Sequence, residues 1–164
     1  MGRVSGRVCV VTGAARGIGR AIGEALLAEG ASVCFADLNE HLAAHVAKAA
    51  NDKLNGSRGN AMSASVEVRS RDSVRALIVA VVERYGRLDL KFIIAGGNKP
   101  MNFLDVSEEN RNFIMGVNGL GCLIGMQEAA RQMIAQGTGG KIVNTASIAS
   151  RQGFDNVAPY CASK

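Results

Sequence analysis

Residues 7–20 read Arg7-Val8-Cys9-Val10-Val11-Thr12-Gly13-Ala14-Ala15-Arg16-Gly17-Ile18-Gly19-Arg20. Arg7 to Val11 form a short apolar run of the kind that makes a buried strand, and an apolar helical pattern begins at once after Gly19. Between them stand three glycines spaced Gly-x-x-x-Gly-x-Gly. Glycine reaches positive φ and has no Cβ, so such a turn lets an anion such as a pyrophosphate approach the backbone closely. The N-terminus of the following helix adds unpaired N–H groups and a partial positive charge, which Arg16 and Arg20 would reinforce. An ordinary glycine-rich strand-to-helix turn would look the same, so the meaning of the loop depends on its company.

Outward from this loop, strand and helix patterns alternate. The first helix runs to Glu29 and Gly30 stops it. Ser32 to Ala36 reads as a second strand, Asn39 to Leu54 as an alanine-rich helix, and Asn55 to Asn60 as a loop. A third strand covers Ala61 to Ser65. Asp72 to Tyr85 repeats apolar residues at Val74, Leu77, Ile78, Val81 and Val82, a helical stripe ended by Gly86. A fourth strand spans Leu88 to Ile94. Ser107, followed by Glu108 and Glu109, is a suitable N-cap for a long helix running toward Gln136, and Lys141 to Ala146 is a fifth strand. The glycines at 116, 119, 121 and 125 cost that helix about 1 kcal/mol each relative to alanine, a cost expected where another helix packs closely. This alternation predicts an α/β, doubly wound (Rossmann-type) parallel sheet with helices on both faces, in a single domain over residues 1–164. The Gly13 loop, Asp37, Ala95-Gly96 and Ser147 should all emerge at the carboxyl ends of the strands, where such folds bind ligands.

Composition excludes several classes. With 164 residues, 48% of them hydrophobic, the chain can bury one sizeable core. No apolar run approaches the roughly 18 residues of a membrane span. Arg3 to Ser5 lead into the first strand without an apolar signal region, and Gly6 stands where a myristoylation motif wants Ser or Thr, so a cytoplasmic location is expected. The net charge is +5, but the nineteen basic residues are scattered, so no nucleic-acid partner is expected. Cys9, Cys34, Cys122 and Cys161 make no Cys-x-x-Cys pair and read as free thiols. His41 and His45 could hold a metal on one helix face, yet the alanines around them suit the solvated edge of a surface helix, and no metal site is expected.

At the far end, Lys164 follows Tyr160 by four residues and Ser147 precedes it by thirteen. On a helix, i and i+4 side chains share a face, so Tyr160 and Lys164 would stand side by side. A neighbouring ammonium favours a phenolate, which makes the pair a proton-transfer device, and Ser147 could hydrogen-bond the reacting oxygen. A tyrosine resting on a lysine stem is the bland alternative. With the glycine spacing, Asp37 at a strand end, Asn118 in a long helix, and Ser147, Tyr160 and Lys164 in that order, the chain resembles the short-chain dehydrogenase/reductases from about Val4 to Lys164.

The resemblance implies that Tyr160 is the general acid/base, that Lys164 assists it and holds the nicotinamide ribose, that Ser147 positions the substrate oxygen, and that Asn118 completes a proton relay. It implies a dinucleotide held by Gly13, Arg16, Gly17, Ile18 and Gly19 in the first loop. Asp37, Leu38, Ala95 and Gly96 would hold it from the next strand ends, with Tyr160 and Lys164 beyond. A carboxylate at Asp37 accepts ribose hydroxyls and repels a 2′-phosphate, favouring NAD over NADP, although Arg16 resembles the NADP-preferring branch. The stretch Ala158 to Lys164 is similar to polyol and diol dehydrogenases, so the expected substrate pair is a secondary alcohol and its ketone. A homo-oligomer is expected, because the family pairs subunits through the long helix.

Two departures stand beside the resemblance. The family's Asn-Asn-Ala-Gly is Ile93-Ile94-Ala95-Gly96 here, and the family's C-terminal strands and helices lie beyond the stretch read. The chain is therefore expected to be the N-terminal portion of a longer polypeptide and to be inactive alone. A non-catalytic dinucleotide-binding protein, or a degenerate fragment of such an enzyme, is the alternative.

Overall fold

The run Val8–Thr12 is buried at every position, as befits a strand covered on both faces, and it forms β1 at the middle of the sheet. The computed structural model describes residues 2–54 and 59–164, so most of the loop expected at 55–60 lies outside the described residues. The elements follow as α1 (Gly17–Ala28), β2 (Ser32–Asp37), α2 (Glu40–Lys53), β3 (Asn60–Ser65), α3 (Arg71–Tyr85), β4 (Leu90–Ile93), α4 (Glu108–Met115), α5 (Gly121–Ala135), β5 (Lys141–Asn144) and α6 (Ala158–Ser163). All strand pairs are parallel and the order is β3-β2-β1-β4-β5. The order reverses direction at β1, the position where an open α/β sheet leaves a crevice at its carboxyl edge.

Alternation along the strands divides the core in two. Val8, Val10, Cys34 and Ala36 face α3 and α5 through Val74, Leu77, Ile78, Val81, Ile124 and Met133. Cys9, Val11, Val33 and Phe35 face α1 and α2 through Leu27, Val46, Ala47 and Ala50. Ser107 caps α4 as its sequence predicts, accepting from the Asn110 amide, and Asn39 and Ser70 cap α2 and α3 in the same way, accepting from the Leu42 and Ser73 amides. Gly86 ends α3 in the left-handed region, at φ 80°.

Three features depart from expectation. The long helix is interrupted by a π turn, Gly116–Leu120, between α4 and α5. Two of its glycines meet the sheet side of the molecule: a Cβ on Gly121 would lie 3.0 Å from Val68 and one on Gly125 3.0 Å from Ile93. In addition, β4 carries Lys91, opposite Val10 and Ile142, wholly enclosed with its Nζ unpartnered. Burial pushes its pKa down to about 8.

Among the described residues no helix is long and apolar enough to cross a membrane, and no group of three or more metal-ligating side chains forms. His41 and His45 are exposed on α2. The four cysteines are free, and burial pushes the Cys9 and Cys34 thiols up to about 12.

Candidate active site

The loop between β1 and α1 is shaped by contact with the next strand. Gly13 has φ 69°, and a Cβ there would stand 2.8 Å from the backbone of Ala95 beyond β4. Gly17 begins α1 with φ 54° and has open space where a side chain would project. Arg16 occupies the N-cap position with extended backbone, and no side chain caps the helix, which leaves its first amides free for a ligand. Asp37, at the end of β2, braces the loop: its Oδ2 accepts from the Ala15 amide and its Oδ1 from the Asn39 amide, each at 3.0 Å.

A cleft of about 750 Å³ runs along these strand ends. Gly13, Arg16, Gly17, Ile18, Gly19, Asp37, Leu38, Ala95 and Gly96, the predicted residues of the first four strand ends, all line it. Ile18 and Leu38 present bare apolar side chains, 66% and 68% exposed, suited to the flat face of a base or a ring. The opposite wall is aromatic and cationic. Phe113 carries Lys99 Nζ 4.4 Å and Arg69 5.7 Å from its ring centroid, and Glu67 holds the Arg69 guanidinium at 2.7 and 3.0 Å.

Asn118 sits in the π turn and is buried. Its Oδ1 accepts from the Gly97 amide at 2.8 Å, and its Nδ2 donates to the Gly97 carbonyl at 3.0 Å and to Ser163 Oγ at 2.8 Å. Ser163 Oγ in turn donates to the Tyr160 carbonyl at 2.9 Å. Lys164 donates from Nζ to the Thr145 carbonyl at 3.1 Å, and the same ammonium lies 5.8 Å from the Tyr160 ring centroid. Gly96 lies beside these groups: a Cβ on it would stand in ordinary contact, 3.4 Å from Asn118 Oδ1 and 3.6 Å from Lys164 Nζ. Ser147 caps a short turn, Ile148–Ser150, by accepting from the Ala149 amide at 3.2 Å, which leaves its hydroxyl proton free to donate. Tyr160 and Ser147 stand at the β5 side, outside the lining of the cleft.

The glycine loop, the buried Asn118 and the paired Tyr160 and Lys164 thus occupy one edge of one parallel sheet, in the order the sequence carries them. The short chain dehydrogenase profile matches residues 7–164. The chain belongs to the short chain dehydrogenase family.

Among family relatives, the sorbitol dehydrogenase of Cereibacter sphaeroides is 35% identical over 162 residues, 99% of this chain and 60% of that protein. A short chain dehydrogenase from Mycobacterium smegmatis superposes with a TM-score of 0.95 at 30% identity, covering 100% of this chain and 68% of the other. An NAD+-bound xylitol dehydrogenase superposes at 0.91 with 31% identity, covering 99% and 61%. The chain spans about three fifths of the length of the curated relatives it matches.

Within this family framework, sequence reasoning missed Ser163, the backbone of Gly97 and the Thr145 carbonyl. Ser163 stands beside Lys164 and could have been suspected as a polar residue on a six-residue helix. Gly97 and Thr145 contribute only main-chain atoms, for which side-chain identity carries no signal.

Proposed function

We propose that the protein is an NAD(H)-dependent oxidoreductase interconverting a secondary alcohol of the polyol or diol kind with its ketone. The observation that carries this reading is Lys164: anchored on Thr145 O, its ammonium lies 5.8 Å from the Tyr160 ring at the margin of the cleft. The cleft fits a dinucleotide, because Gly13 lets the loop close on the Ala95 backbone, Gly17 leaves open space where a side chain would project, and the α1 amides are uncapped. When bound, a nicotinamide ring supplies the acceptor for the hydride leaving the alcohol carbon. The residues of the chain handle the proton: Tyr160 as phenolate takes it from the hydroxyl as the C–H electron pair leaves, and returns it in reduction. Lys164 places its ammonium beside the Tyr160 ring, Ser147 donates its free proton to the substrate oxygen, and Asn118 holds the Gly97 backbone at the cleft edge.

Asp37 supports NAD in preference to NADP, since a 2′-phosphate beside a carboxylate meets like charge while the exposed Arg16 contributes little. The sorbitol and NAD+-bound xylitol dehydrogenases among its relatives support the polyol class. The exposed apolar Met115, Leu120 and Leu123 on the α4–α5 face support pairing of subunits there.

Ile93 and Ile94, standing where the family resemblance places asparagines, favour a second reading, a dinucleotide-binding protein without turnover. NADH formation by the full-length protein from a panel of polyols and secondary alcohols, beside a binding titration, separates the two: binding without NADH leaves only the second. In a full-length form, Tyr160→Phe is expected to abolish turnover, by at least about a thousandfold, with NADH affinity nearly intact. Activity within a few-fold of wild type would remove Tyr160 from its role.

A further inference from the structure

Helix α6, Ala158–Ser163, carries Tyr160 and precedes Lys164, so where it sits decides where both side chains stand. Pro159 is buried, the Met101 amide donates to Asn156 O at 2.8 Å just before the helix, and Lys164 Nζ grips Thr145 O after it. None of these ties the helix to the strand end at Gly96 and Gly97.

We infer that Ser163 is a positioning residue, its hydroxyl joining α6 to Asn118 and through it to the Gly97 backbone, so that Tyr160 and Lys164 are held in register with the cleft. A serine hydroxyl donating to the carbonyl three residues back is common in helices and by itself says nothing. The distinguishing bond is the one Ser163 accepts, at 2.8 Å, from the side chain of a residue 45 positions earlier. Asn118 has two amide protons, and both are committed, one to Gly97 O and one to Ser163 Oγ. Its Oδ1 accepts from Gly97 N, so the amide spans two elements with no other side-chain partner. The π turn accommodates one extra residue in the helical turn that presents Asn118, a local irregularity that a regular helix would not need. Without the Ser163 hydroxyl, a buried N–H loses its acceptor, and the Gly97 backbone and α6 lose the only side-chain bridge between them found among the described residues.

The inference rests on the reading of Tyr160 as the proton carrier, so its test has an arm that needs no turnover. In Ser163→Ala, hydrogen exchange by NMR at the Asn118 side-chain amide and the Gly97 main-chain amide is expected to quicken about tenfold or more, with Val10 in β1 unchanged; the lost acceptor accounts for a change of that order. In steady-state assays the same variant is expected to lose about tenfold in kcat with KM for the dinucleotide within about twofold, and Ser163→Thr, which keeps the hydroxyl, to recover most of the loss. Unchanged exchange at Asn118 and Gly97 in Ser163→Ala overturns the inference, as does a kcat within about twofold of wild type. Quickened exchange in a full-length protein whose wild type turns over no alcohol upholds the tie and removes the oxidoreductase reading.

Discussion

Asp37 illustrates how one carboxylate can carry two loads. As a charge beside the cleft it is the group that the proposed preference for NAD over NADP rests on. As an acceptor it also holds the glycine loop, because Ala15, 3% exposed, has its amide on Asp37 Oδ2. Each carboxylate oxygen has lone pairs to spare, so the two roles coexist. Asp37→Ala is therefore expected to lower stability by about 1–3 kcal/mol in urea unfolding, since a buried donor is left without its acceptor. It should also weaken NAD and NADP binding together in calorimetric titrations, instead of cleanly exchanging one for the other. A clean exchange at unchanged stability would mean that the Ala15 contact contributes nothing. The placement of Asp37 at a strand end was legible in the sequence. Its tie to Ala15 was not, because the partner is a main-chain amide 22 residues earlier, and the same blindness hid Gly97 behind Asn118.

Helices and strands were legible nearly residue by residue where periodicity and caps agree. Gly86 ends α3 and Ser107 begins α4 as their chemistry dictates. The π turn was not legible, since apolar residues and glycines continue through it and one extra residue per turn leaves the pattern nearly intact. Nor was packing partner identity: the glycines of α5 face Val68 and Ile93, and Gly23 of α1 faces the buried ring of Phe35 in β2. At Gly23 two effects oppose. Alanine improves helix propensity by about 1 kcal/mol, but its methyl would press into an aromatic ring with no room to move, at about 1–3 kcal/mol. Crowding should win, and Gly23→Ala is expected to lower the thermal midpoint. A raised midpoint would show that Phe35 can shift.

Across the molecule, the buried titratable groups set a stability profile in alkali. The folded state releases the Lys91 proton at about 8, while the unfolded chain keeps it to 10.5, so between those values the unfolded state binds more protons and stability rises with pH. Cys9 and Cys34 do the reverse, holding their protons to about 12 when folded and losing them at 9.0 when unfolded. Two thiols outweigh one amine, so stability should climb from about pH 8, peak near pH 9 and fall beyond it, each group contributing a slope of about 1.4 kcal/mol per pH unit. Lys91→Met should abolish the climb and leave the fall, as read by urea unfolding across pH 7 to about 11; a climb that survives the substitution excludes Lys91 as its source. The division of the core has a consequence in time. Every buried member of the cluster beneath α1 and α2 falls between Cys9 and Ala61, and β3, β2 and β1 are contiguous both in the sheet and in the chain. A nascent chain leaving the ribosome can therefore close that half of the molecule before β4 emerges. The second face and the edge that carries Asn118 and Tyr160 would then assemble on a surface that already exists.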